Sequence, residues 1–235
     1  MQRVVTIHQP DFMPWLGFFY KLSKVDYFVL LDHVEMDVKN AGWIKRVKHL
    51  MNDNPQWVTI PLKHPAKGHI LPIKDMVIDT NNSAYLKAYR ILKNIYAKHP
   101  FYKEHIYLVE EFFDFESNSV SERNFFMIKK ILQLLEINLT IIKSSELDVQ
   151  SNKSEMNAEI VKKVGGKTYF SGQGAIEYQN ENHFNRLNIE LKVSDFDPLK
   201  YIYSQIGEKN FIPGLSILDA IMNIGVIEVK KLLMQ

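Results

Sequence analysis

The sequence predicts an α/β fold built on a mainly parallel sheet, and three observations predict it. The first 32 residues, MQRVVTIHQPDFMPWLGFFYKLSKVDYFVLLD, read as strand, loop, helix and strand in quick succession. Strand-length apolar runs return after residue 138, again alternating with helical spacing. Between these two parts, residues 82 to 136 carry helical patterns only. Strands at both ends with helices between them are expected to share one sheet. Residues 1–235 are therefore read as a single α/β domain with a helical insertion at about 82–136, since no flexible linker divides them.

Each element has a local reason. Arg3 to Ile7 is a β-branched run that ends in His8-Gln9-Pro10-Asp11. Leu16 to Lys24 spaces Leu16, Phe19 and Tyr20 on one helical face. Tyr27 to Leu31 is a continuous apolar run closed by Asp32, as a strand buried on both faces requires. Trp57 to Pro61 is a short strand bounded by proline, Leu62 to Pro72 a polar loop, and Met76 to Asp79 a further short strand. Asn82 or Ser83 caps a helix with Tyr85, Tyr89, Leu92 and Tyr96 along one stripe, stopped before Pro100. Tyr102 to Phe113 reads as a second helix. Ser119-Val120-Ser121-Glu122 is a capping box opening a third, with Phe125, Ile128, Leu132 and Leu135 inward. Leu139 to Ile142 is then a strand, and Ser154 to Val164 a helix closed by Gly165-Gly166. Lys167 to Phe170 is a strand, Glu181 to Leu187 a helix, and Ile189 to Phe196 a strand. Gly214 to Gly225 is a helix, followed by a short terminal one.

Composition narrows the function classes. The formal charge is +2, so affinity for polyanions must come from local patches. With no cysteine, disulfides, thiol nucleophiles and thiolate metal sites are excluded, which suits a reducing, cytoplasmic location. No apolar run reaches the roughly 18 residues of a membrane span, and the N-terminus lacks the regions of a signal peptide. The eight histidines have no metal-ligand spacing, so no metal is expected. His64 and His69 fall in a segment read as a mobile loop, and His99 and His105 flank a helix break.

Candidate chemistry gathers at strand ends, where open α/β sheets build their sites. His8 and Gln9 follow the first strand, and His8 is a candidate general base. The bland alternative is a turn that caps the next helix. Gly17 lets that helix approach a ligand, or only the sheet. Asp32 ends the second strand and could orient a base or contact a sugar. Lys39 to His49 interleaves cations with Trp43; Arg46 is the residue best suited to a phosphate, although such a run is also common on a solvated face. Ser171-Gly172-Gln173-Gly174 follows a strand and leads to Tyr178, a candidate anion nest or simply a turn. The architecture invites comparison with Rossmann-like nucleotidylyltransferases. Their HxGH motif aligns with Trp15-Leu16-Gly17-Phe18, which keeps the glycine and lacks both histidines, so adenylyl transfer is not expected.

Three ordered blocks, IHQPDFMPWLGFFYKLSKVDYFVLLD, YFSGQGAIEY and FIPGLSILDAIMNIG, resemble the WbqC-like protein family. The resemblance implies a bacterial protein associated with surface-polysaccharide or O-antigen (lipopolysaccharide) gene clusters. It also implies transfer of an acyl or aminoacyl group, such as glycine, to a sugar. The family's Trp-Gln-Asn-Arg-Asn appears as Trp43-Ile44-Lys45-Arg46-Val47, keeping tryptophan and arginine. Its late His-Pro appears as Asp197-Pro198, followed by Tyr203 and Gln205, which the resemblance adds to the substrate-binding set. The expected activity is thus acylation or aminoacylation of a nucleotide-linked amino sugar. His8 and Asp32 would be catalytic, with no tightly bound cofactor. The donor would be a carrier-protein thioester, coenzyme A or an aminoacyl-tRNA. The rival expectation is a non-catalytic sugar-nucleotide or carrier-binding protein.

Overall fold

The β-branched run Val4-Val5-Thr6-Ile7 forms the central strand of a parallel sheet in the computed structural model. The structure describes residues 3–51, 54–64, 70–207 and 210–234, except the side chains of Ile176 and Tyr178. The first half of the chain gives β1 Val4–His8, α1 Leu16–Ser23, β2 Tyr27–Leu30, β3 Glu35–Met36, α2 Gly42–Lys45, β4 Arg46–Met51, β5 Asn54–Thr59 and β6 Leu71–Pro72. The helical middle follows as α3 Ser83–Tyr96, α4 Tyr102–His105, α5 Tyr107–Asp114 and α6 Val120–Leu134. The last part gives β7 Thr140–Lys143, α7 Lys153–Lys163, β8 Thr168–Ser171, α8 Glu181–Asn185, β9 Glu190–Val193 and α9 Ile217–Leu233.

The chain divides into two compact units. The sheet unit comprises Met1–Gln9, Tyr20–His33 and Ile137–Phe196. Among the described residues its sheet has five strands in the order β7-β2-β1-β8-β9, all parallel. The chain starts in the middle, lays β2 and β7 on one side, and then returns to lay β8 and β9 on the other. That is a Rossmann-like order with its reversal between β1 and β8. Val5, Phe28, Val29 and Leu30 are wholly buried, as strands covered on both faces require. Gly166 sits between α7 and β8, where an added Cβ would lie 2.5 Å from Val5 and 2.7 Å from Val161. Only glycine permits that approach. Gly165 before it takes φ +73°, the left-handed turn that ends α7.

The second unit comprises Pro10–Phe19, Val34–Glu136 and Asp197–Gln235. It holds the antiparallel hairpin β4–β5, the short ladder β3–β6, and the helices α2 to α6 and α9. Asn82 caps α3 by accepting from the Ala84 N–H at 3.0 Å. Ser119 caps α6 by accepting from the Glu122 N–H, but the Glu122 carboxylate turns to the Ser117 hydroxyl, so the box is only half closed. Arg123 is buried because it finishes α5: its guanidinium donates to the carbonyls of Phe112, Phe113 and Phe115 and to Ser117. Asn124 Nδ2 donates to the carbonyls of Pro10 and Ile44, each at 2.8 Å.

Several local expectations change. Residues 102–113 form two short helices, α4 and α5, rather than one. Met76 to Asp79 carries isolated bridges, Leu62 to Ile78 and Val77 to Ser119, and no strand. The inward face of α6 is Asn124, Met127, Ile128, Ile131 and Leu132, and Phe125 is only half-buried. The helix read from Gly214 begins at Ile217, and the expected break before a short terminal helix falls at Gly225, φ +76° and ψ 163°, where a Cβ would sit 2.7 Å from the Phe101 ring. His69 lies outside the described residues.

Candidate functional site

The reversal in strand order makes a gap at the carboxyl edge of the sheet unit. β1 stays paired with β2 from Val5 opposite Tyr27 to His8 opposite Leu30. With β8 it pairs only at Val4–Thr168 and Val5–Tyr169. One residue on, Thr6 Oγ1 donates to the Phe170 carbonyl at 2.7 Å, and the ladder goes no further. β8 meanwhile holds to β9 as far as Ser171 opposite Val193. Ile7, His8 and Gln9 thus leave one wall of a split whose other wall is Ser171-Gly172-Gln173-Gly174. Open α/β sheets take ligands at such a crevice.

His8 is partly buried, with Nδ1 3.1 Å from the Gln9 carbonyl. Its pKa is lowered to about 3, first by burial and then by the nearby charge of Lys21. The imidazole is therefore neutral at physiological pH. Lys21 comes from α1 and is itself 4% exposed. It escaped the sequence reading because a lysine in an amphipathic helix is ordinarily a solvated residue.

On the opposite wall Ser171 is buried, and its hydroxyl donates to the Gly172 carbonyl at 3.3 Å. Gln173 Nε2 donates to the Phe196 carbonyl at 3.1 Å, which anchors the loop. A Cβ at Gly172 or Gly174 would meet nothing within 4 Å, and neither glycine is left-handed. The protein's own backbone therefore does not demand glycine at either position. Tyr178 ends a 3₁₀ turn, Gln173–Tyr178, and its side chain lies outside the described residues.

Asp32 follows the end of β2, at the carboxyl edge of the sheet. It is buried, and its carboxylate accepts from the Ser144 hydroxyl at 3.0 Å, the Ser145 N–H at 2.9 Å and the Ser145 hydroxyl at 2.9 Å. Ser144 and Ser145 follow β7, so these bonds run to the side of the sheet away from the β1–β8 gap. The structure does not bring the Asp32 carboxylate onto His8. Ser144 Oγ also lies 2.6 Å from His33 Nδ1.

The remaining sequence candidates belong to the second unit. Gly17 is buried in the first turn of α1. Trp43 lies at the surface just before the β4–β5 hairpin, and Arg46 is exposed on the first residue of β4. Tyr203 and Gln205 converge on a carboxylate the sequence reading passed over, Asp219 of α9. Tyr203 Oη donates to Asp219 Oδ2 at 2.8 Å and Gln205 Nε2 at 3.2 Å. Asp219 is wholly buried, and its Oδ1 has no hydrogen-bond partner among the described residues. Burial raises its pKa to about 6 against the partial relief of these donors. Burial first, and then the Asp219 charge, hold the Tyr96 phenol well above the usual tyrosine value. Tyr96 Oη lies 2.5 Å from Nδ1 of the buried His49. With the phenol protonated, it donates to Nδ1 and leaves the imidazole proton on Nε2, which is also unpartnered among the described residues. Asp219 was hidden because an acid three residues after Ser216, in a first helical turn, reads as a helix-end charge. His49 was hidden inside a basic run. Among the described residues no three His, Asp or Glu side chains converge as a metal site.

Comparison with known proteins agrees with the three sequence blocks. The family model described as WbqC-like protein family matches residues 9–231. The chain belongs to the WbqC-like protein family. A WbqC-like match of this extent takes in Gln9, the 171–174 wall of the β1–β8 gap and the Asp219 cluster, and begins one residue after His8. A relative from Mycobacterium tuberculosis, bearing the name Uncharacterized protein Rv1507c, is 26% identical over 223 residues. That alignment covers 95% of this WbqC-like chain and 94% of the relative. No solved structure matches. Among the described residues, no helix is long and apolar enough to cross a membrane.

Proposed function

We propose that this WbqC-like protein is a cytoplasmic transferase of surface-polysaccharide (O-antigen) biosynthesis that acylates or aminoacylates an amino sugar carried on a nucleotide. The observation that supports this most is the β1–β8 gap, with neutral His8 and buried Lys21 on one side and the 171–174 loop on the other. A buried cation beside an open strand end suits a phosphorylated ligand. The loop's glycines leave room for close backbone approach.

In the reaction the sugar amine attacks an activated carbonyl, a C–N bond forms, and nitrogen loses a proton. His8 is already deprotonated and is the base nearest the gap. Its low proton affinity in the unliganded protein is set by burial and by Lys21. A phosphate placed on Lys21 would offset that charge and raise His8 toward a useful range. Asp32, tied to Ser144 and Ser145, holds the β2 end in place and takes no part in proton transfer.

The pKa of about 3 also favours a second reading, a non-catalytic sugar-nucleotide or carrier-binding protein, because so weak a base accelerates proton transfer little. One experiment separates them. The protein is incubated with nucleotide-linked amino sugars and with acyl-coenzyme A, acyl carrier protein or aminoacyl-tRNA, and the sugar is weighed by mass spectrometry. A mass gain that depends on His8 supports transfer. A sugar nucleotide that binds without gaining mass with any donor supports the binding protein.

A further inference from the structure

The β4–β5 hairpin carries a second feature, an exposed aromatic and cationic face. Arg46 pairs with Thr59 and Lys48 with Trp57, so the alternation of an antiparallel pair puts all four on one side. Val47, Val58 and His49 turn to the other side and are buried. Trp57 is 40% exposed, and Trp43, just before the hairpin, is 45% exposed. Their rings meet edge to face at 5.0 Å. The Arg46 guanidinium lies 4.5 Å from the Trp57 ring centre and the Lys48 ammonium 5.3 Å. Among the described residues neither cation forms an ion pair with a carboxylate. Residues 39–51 contain Lys39, Lys45, Arg46 and Lys48 and no acidic residue. Lys45 is spent on the carbonyls of Val38 and Lys39, which leaves Arg46 and Lys48 to define the charge of the face.

Two exposed indoles, with two cations that pair with no carboxylate among the described residues, call for a partner that is both flat-ringed and anionic. An apolar protein surface would leave the cations without counter-charge, and a bare polyphosphate would leave the indoles in water. A polynucleotide strand supplies both, bases to stack and phosphates to pair. Positions two apart on a strand lie about 6.6 Å from each other. That places Arg46 and Lys48 at a separation an extended polynucleotide's neighbouring phosphates can match.

We propose that this face binds single-stranded nucleic acid, with bases against Trp43 and Trp57 and phosphates on Arg46 and Lys48. Resting on the acyl-transfer reading above, it selects the donor: the aminoacylated 3′ end of an RNA. The sugar amine attacks the ester carbonyl, the amide C–N bond forms, and the C–O bond to the terminal ribose breaks. The proton lost by nitrogen ends on the released ribose hydroxyl.

The test is fluorescence anisotropy with a labelled, uncharged single-stranded RNA of about ten nucleotides, a length within the span of known strand-binding folds. Trp57→Leu and Trp43→Leu are expected to weaken binding on the order of ten-fold each. Arg46→Gln and Lys48→Gln are each expected to lower the salt dependence by about 0.7 in the log–log slope. All four positions are at the surface, and circular dichroism verifies that the variants fold. No RNA binding would overturn the proposal. So would binding that survives both tryptophan variants and is displaced equally by inorganic polyphosphate, or tryptophan-dependent self-association in sedimentation. RNA affinity without sugar acylation would leave this proposal standing and remove the transferase reading. Acylation from coenzyme A by a protein with no RNA affinity would do the reverse.

Discussion

Asp32 and Asp219 are both buried aspartates, one in each unit, and they are treated in opposite ways. Asp32 receives three hydrogen bonds from Ser144 and Ser145, and both carboxylate oxygens are used. Asp219 receives two on one oxygen and none on the other, and no cation pairs with it among the described residues. The first pattern is that of a tie: a charge buried with enough donors to replace water. The second retains an unmet demand, which burial turns into affinity for a proton. The sequence marks both simply as an acid beside apolar residues. What separates them is the supply of donors, and that comes from residues more than a hundred positions away for Asp32, and from a loop before α9 for Asp219.

The largest effect of a substitution is expected at the sheet edge. If His8 rather than Asp32 carries proton transfer, His8→Ala lowers turnover by roughly 10²–10⁴-fold with little change in melting temperature. Lost stability with intact turnover would make His8 a helix cap. Asp32→Ala should instead act on stability. Removing the carboxylate strands the two Ser145 donors, while the Ser144 hydroxyl keeps His33 Nδ1, a cost of about 2 kcal/mol in denaturant unfolding. A stable variant with lost turnover would return Asp32 to the chemistry.

Asp219 is tested by pH. Its folded pKa of about 6 lies above the ordinary 3.8, so the folded state holds its proton more tightly than the unfolded chain. The stability this gives is present below pH 3.8 and lost as pH rises through 6. Asp219→Asn mimics the protonated form, so the variant should gain on the parent protein from pH 4 to pH 8, by at most ~3 kcal/mol. His8 and His49 are lowered to about 3 and pull the other way, losing stability as pH falls below 6.5. They are common to both proteins and cancel in the difference. A gap independent of pH would show that Asp219 is not proton-hungry. The smallest effects belong to Gly172→Ala and Gly174→Ala. Both should leave thermal unfolding unchanged, since an added methyl meets open space, and weaken a ligand seated in the gap a few-fold through contact alone.

Much of the fold was legible because its signals are local. The apolar run at Tyr27, the cap at Asn82 and the Gly165-Gly166 stop each act within a few residues. The strand-end positions of His8 and Ser171 were legible because the apolar runs before them stop at these polar residues. The β4 strand was not, because Arg46-Val47-Lys48-His49 reads as a charge run until its alternation is matched with β5. Lys21, His49 and Asp219 were missed for one shared reason. Their importance lies in burial, and burial of a polar side chain is decided by distant packing that the local pattern does not record.

On the transferase reading, a sugar nucleotide occupies the β1–β8 gap, lined by His8 and the 171–174 loop. Hydrogen–deuterium exchange, with and without a nucleotide-linked amino sugar, tests it most directly. Ligand-dependent protection of residues 7–9 and 171–175 is expected, with the backbone around Asp219 unchanged. Protection confined to residues 203–206 and 216–223, with the sheet edge unaffected, would contradict it and move the site to the Asp219 cluster.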